Sequence, residues 1–163
     1  MNVRLLVSTN MGRTVITAFL LVVICPCVIV RLDKRLRFSS FGKSILLVSY
    51  VSIVLFLTLL DRTPGETVAV KLRPLWTYQN IRVTALRWQI YLNVFLFVPV
   101  GFLIPFSLHS RFLHTIVLTF SLSVIIEICQ YAFGLGLCEI DDIIHNVIGG
   151  ILGFLYWRLL ANT

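Results

Sequence analysis

Residues Ser121–Trp157 read SLSVIIEICQYAFGLGLCEIDDIIHNVIGGILGFLYW, and they decide the fold. An apolar helix runs into Glu127 and Gln130, and a Gly-rich turn follows with Gly134 and Gly136. Then comes the acidic step Glu139-Ile140-Asp141-Asp142, and a second apolar helix opens with His145, Asn146, Gly149 and Gly150. Four of the seven carboxylates of the chain fall in this stretch, among side chains that are almost all hydrocarbon. Carboxylates are costly inside a bilayer, so each one marks a candidate functional group.

The surrounding composition makes the bilayer the expected solvent. Of 163 residues, 58% are hydrophobic, and the mean hydropathy is +0.96. A water-soluble domain of this length leaves too much surface to hide that apolar fraction. Apolar runs of 17 or more residues alternate with short charged segments, the pattern of an all-α, polytopic transmembrane bundle of about five spans.

The expected spans are Thr14–Val30, Ser44–Leu60, Ile90–Leu108, Phe112–Phe133 and Asp142–Leu160. The first has no small-x-small cleavage site and reads as an uncleaved helix bent near Pro26. The second carries no chemistry. In the third, Asn93 falls in the first turn, while Pro99, Gly101 and Pro105 interrupt the second half. Asp141 or Asp142 is placed to N-cap the fifth.

The net charge of +7 lies between the apolar runs, where lipid headgroups and orientation signals account for it. No basic face on a soluble fold is available, so nucleic acid is not an expected partner; membrane lipids are. Lys and Arg counts tie across the two sides, but the first loop packs five into thirteen residues while the second spreads five over twenty-nine. The dense loop is expected in the cytoplasm and the acidic turn outside. The four cysteines suggest neither a disulfide framework nor a metal site, and no cofactor is expected.

Segments far apart in sequence then bring their polar groups to one membrane depth. Asn93, Glu127, Gln130, Asp141, Asp142 and Asn146 form the expected ligand-binding cluster, with Glu127 the main charged contact. An arginine of the second loop is the expected partner for these acids. Asp142, Asn146, Gly149 and Gly153 share one helical face, and Gly149-x-x-x-Gly153 matches a close-packing motif.

Catalytic residues are not identified. The chain has no His-x-x-x-His, phosphate loop or activated-serine pattern, which argues against an enzyme. Glu127 with an Asp would still suit acid/base work on a lipid headgroup, and a structural or assembly subunit is a third reading.

Three pieces resemble the VanZ-like family of bacterial membrane proteins: Leu72-Arg73-Pro74-Leu75, Asn93 with Phe97-Val98-Pro99-Val100-Gly101, and Glu127-x-x-Gln130 followed by Asp141-Asp142 and Asn146-x-x-Gly149-Gly150-x-x-Gly153. They cover about Lys71 to Trp157. The resemblance divides the chain into residues 1–43, a first helix plus basic loop, and 44–163, a four-helix family domain. It implies a multi-pass protein of the bacterial inner membrane and cell envelope, a link to resistance to the glycopeptide teicoplanin, and no agreed biochemical activity. A lipid-linked envelope precursor is the expected ligand.

Overall fold

A computed structural model describes residue 24 and residues 26–60, 70–71, 73–75, 78, 84–135 and 138–162, apart from the side chains of residues 60 and 84–87. Helix α1 occupies residues 26–36, and most of the expected first span, Thr14–Val30, lies outside the described residues. Where it is described, the helix runs past Val30 through the basic segment. It stops at Arg37, whose φ of 53° takes the left-handed turn usually given to glycine. Asp33 makes this turn possible: its carboxylate accepts from the Phe38 N–H at 3.0 Å and pairs with Lys43 Nζ at 2.7 Å. Ser39 then caps the next helix by accepting from the Gly42 N–H.

Helix α2, Ser40–Leu55, widens into a π-helical turn over Phe56–Leu60. Helix α3, Thr84–Leu108, continues through both Pro99 and Pro105. The Tyr50 hydroxyl of α2 donates to the Leu96 carbonyl in the turn before Pro99, which ties α2 to α3 at that level. Helix α4, Phe112–Ala132, ends in a Schellman turn: Gly134 has φ 65°, and the Leu135 N–H donates back to the Gln130 carbonyl at 2.8 Å. Helix α5 is Ile140–Ala161.

Among the described residues, four stretches are long and apolar enough to cross a membrane: Ser40–Leu59, Trp88–Leu108, Phe112–Ala132 and Ile140–Ala161. Their 20 to 22 residues correspond to about 30 Å of helix, the thickness of a hydrocarbon core. The chain is thus an all-α bundle and a membrane protein. Helix α3 is the most buried of these spans, with Phe97, Val100 and Phe102 inaccessible, whereas α2 fully buries Val54 alone and half-buries one face, including Leu47, Tyr50 and Leu55, against the core.

The tightest packing joins α3 to α5, and glycine permits it. A β-carbon on Gly149 would run into the Val94 carbonyl, and one on Gly153 into the Val98 carbonyl and Phe102 N. Gly101 lies directly against the Gly150 backbone. Lipid tails are as apolar as leucine, so close backbone approach supplies much of what holds such helices together.

Outside the helices, the loops at one end of the bundle are tied by two short parallel strands. Strand β1, Val70–Lys71, pairs with β2, Cys138–Glu139, in the register Val70 to Cys138 and Lys71 to Glu139.

Candidate functional site

The expected polar residues do meet, at the end of the bundle where α4 stops and α5 starts. Glu127, Gln130, Glu139, Asp141, Asp142, His145 and Asn146 are all 5% exposed or less. Burying so many polar groups beside hydrocarbon requires partners, and their partners define the site.

Glu127 lies one turn before the end of α4, and its carboxylate accepts from the Glu139 N–H at 2.9 Å, pinning β2 against α4. The Glu139 side chain reaches Lys71 Nζ at 3.4 Å across the strand pair. Gln89 on α3 donates to both oxygens of Asp142 at 3.0 Å and approaches Glu139 at 3.4 Å. Asp141 faces the other way and accepts from the backbone N–H of Leu75, a residue held at a φ of 62°. His145, one turn further along α5, shares a 3.0 Å hydrogen bond with the Tyr78 hydroxyl through Nε2. Asp141 and His145 together therefore hold Leu75 and Tyr78 over the start of α5.

Deeper in the bundle, the Asn146 amide donates to Ser123 Oγ at 2.8 Å. The Gln130 amide donates to the Thr58 carbonyl at 3.0 Å, inside the π-helical turn that ends α2. Such turns release carbonyls from the regular ladder. The second helix, read from sequence as carrying no chemistry, thus supplies a carbonyl to the site. Asn93 lies one turn along α3 from Gln89, and its buried amide nitrogen has no partner among the described residues.

Two expectations are corrected. Neither Asp141 nor Asp142 is the N-cap of α5; Glu139 holds that position in extended conformation without a side-chain capping bond, because both aspartates are committed to Leu75 and Gln89. They do lie in the first turn, where the positive end of the helix dipole favours anions. Asn93 does not fall in the first turn of its helix, because α3 begins six residues earlier than Ile90, at Thr84. Among the described residues, the cation that reaches the acids is Lys71; Arg73 is exposed, and the other arginines of the second loop, Arg62, Arg82 and the Arg87 side chain, on which an arginine partner would fall, lie outside the described residues.

Sequence reading missed Lys71, Tyr78, Gln89, Ser123 and Thr58 as parts of this constellation. Two carried a usable signal, since Gln89 precedes Asn93 and Ser123 precedes Glu127 by one helical turn. The strand pair carried none, being two residues long on each side.

Burial raises the Cys138 thiol above its ordinary value of 9.0, and the charges of Glu127 and then Asp142 raise it further. Among the described residues, no three His, Cys, Asp or Glu side chains are grouped to hold a metal ion. The site therefore offers carboxylate acceptors, amide donors and one ammonium, all positioned by protein contacts, at the mouth of an apolar bundle.

Protein VanZ of Enterococcus faecium is 35% identical to this chain over 68 residues, which cover 41% of the chain and 42% of that protein. The aligned part is thus under half of that relative's length. No solved structure matches. The profile of the VanZ/LLP1 family matches residues 44–161, which takes in most of α2, all of α3 to α5 and every residue of the polar cluster. By that match, across well over half its length, the chain belongs to the VanZ/LLP1 family.

Proposed function

We propose that this protein is a multi-pass component of a bacterial cytoplasmic membrane that engages a lipid-linked or cell-wall ligand through the cluster around Glu127 and Asp142. The observation that carries this reading is the concentration of buried carboxylates at one end of a bundle that is otherwise apolar. Intramembrane ionisable groups are retained at a cost, most often for ligands or ions. Asp142, Glu139 and Lys71 offer hydrogen-bond acceptors and a cation to a headgroup bearing amines, hydroxyls or phosphate.

The outer leaflet is the proposed location of the cluster. Arg31, Lys34, Arg35, Arg37 and Lys43 gather at the turn that begins α2, while the Thr58 carbonyl at the far end of α2 meets Gln130 of the cluster. A dense basic loop favours the cytoplasmic side, which leaves the carboxylates facing out. The link to teicoplanin that the family resemblance implies belongs to the same proposal.

The test is susceptibility. Expressed in a teicoplanin-sensitive bacterium, the chain is expected to raise tolerance, and Glu127→Gln or Asp142→Asn at equal membrane abundance to return it to the host level. Full tolerance in both folded variants would overturn the role of the cluster. Turnover of extracted envelope lipids by the purified protein would replace ligand engagement by the reading of a membrane-embedded enzyme.

A further inference from the structure

Helix α4 buries a polar stripe. Thr115, Thr119, Ser123 and Glu127 recur at every fourth residue, and all four are 2% exposed or less in a span whose other faces are apolar. The stripe faces α5 in antiparallel register: Ser123 meets Asn146, and one turn on Thr119 meets Gly150, where a β-carbon would strike the threonine side chain. It runs from the carboxylate cluster to the opposite end of the bundle. There Thr115 Oγ1 lies 3.0 Å from Ser110 Oγ and donates to the Arg111 carbonyl, beside the turn that follows α3.

Small residues between membrane helices ordinarily serve close packing, which alanine would do as well. Two observations argue for more. Threonine in a membrane helix usually returns its hydroxyl to the carbonyl four residues back, as Thr115 and Thr58 do here. Thr119 does not: its buried hydroxyl has no partner among the described residues, and neither has the side-chain oxygen of Asn146 one turn away. Unsatisfied groups in hydrocarbon are expensive, and small ordered waters are their usual remedy.

The spacing fits water. Four helical residues rise about 6 Å, and two hydrogen bonds of about 2.8 Å through one oxygen span nearly that distance. Each hydroxyl both donates and accepts, so a file of hydroxyls and bridging waters has the chemistry to pass a proton along by successive hops, its members rotating back before the next proton follows. We propose that the α4–α5 seam holds a file of buried waters seated at Thr119 and Asn146, and that this file links the carboxylate cluster to the Ser110 turn at the opposite membrane face as a path for protons. The path stands independently of any ligand the cluster binds.

The experiment uses the full chain reconstituted in liposomes that enclose a pH-sensitive dye, with a potassium gradient and valinomycin supplying the driving potential. The wild-type protein is expected to admit protons faster than protein-free liposomes. Thr119→Val, which keeps the shape and removes the hydroxyl, is expected to slow the flux about tenfold or more, the effect of a modestly raised barrier. Thr119→Ser restores the hydroxyl and is expected to retain flux. Ser123→Ala repeats the test at a second position should the valine variant fail to fold. A wild-type flux equal to that of empty liposomes overturns the proposal, as does full flux in folded Thr119→Val and Ser123→Ala. Loss of flux in folded Thr119→Ser also overturns it, because the effect would then belong to packing in a dry seam.

Discussion

The carboxylate of Glu127 accepts the backbone N–H of Glu139 at 2.9 Å, so the end of α4 holds the strand that starts α5. An acid inside an apolar span is thereby a structural clasp as well as a candidate contact. Its two roles separate by substitution. Glu127→Leu leaves a buried N–H without an acceptor and is expected to cost about 1–3 kcal/mol, while Glu127→Gln keeps an oxygen there and costs about 1 kcal/mol. Thermal unfolding in detergent orders the two; equal losses would show that the clasp contributes nothing.

Helix packing predicts a steep response at Gly153. A methyl group there meets the Val98 carbonyl and Phe102 N, backbone atoms that cannot rotate aside. Gly153→Ala is expected to destabilise by about 1–3 kcal/mol through overpacking. Gly42→Ala, whose new β-carbon would meet only Ser39 Oγ at ordinary contact distance, serves as the control and should change little. Comparable losses at both positions would remove the glycine account of α3–α5 packing.

Cys138 predicts a pH dependence. Burial, Glu127 and Asp142 favour its neutral thiol, and only the thiolate reacts with maleimide. Labelling of Cys138, in a chain whose other cysteines are serine, should rise only at pH above the ordinary thiol value of 9.0. Glu127→Gln removes an anion and should shift that rise to lower pH. The sign for stability follows: with the folded value raised, this contribution is full below 9.0 and is lost as pH climbs through the folded value. Unshifted labelling in Glu127→Gln would show that the acid does not act on the thiol.

The pairing of Lys71 with Glu139 joins two loops 68 residues apart, with Lys71 about one-third exposed and Glu139 buried. Lys71→Met leaves the Glu139 carboxylate with Gln89 as its side-chain partner among the described residues and is expected to cost about 1–2 kcal/mol, discounted from the fully buried case by the exposure of the lysine. Protease cleavage of the segment before β1 should accelerate in this variant. Unchanged cleavage would indicate that the strand pair holds without the ion pair.

Much of this protein was legible in one dimension. Hydropathy fixed the solvent, the helical class and the long spans, because covering about 30 Å of hydrocarbon leaves an unmistakable run of apolar residues. The rarity of charge within those runs singled out Glu127, Gln130, Asp141, Asp142 and Asn146, and they do come together at one end of the bundle. Helical periodicity likewise marked Gly149 and Gly153, since residues four apart must share a face. What each polar group touches was decided only by the tertiary fold. The preference of aspartate for an N-cap is a local effect of about 1 kcal/mol, and it gave way to the contacts of Asp141 with Leu75 and Asp142 with Gln89, partners 66 and 53 residues distant. No periodicity announces that Lys71 will pair across two-residue strands, or that a π-helical turn will present the Thr58 carbonyl to Gln130. The sequence determines which groups are too costly to stand alone in lipid; only the packed chain determines which partner relieves each cost.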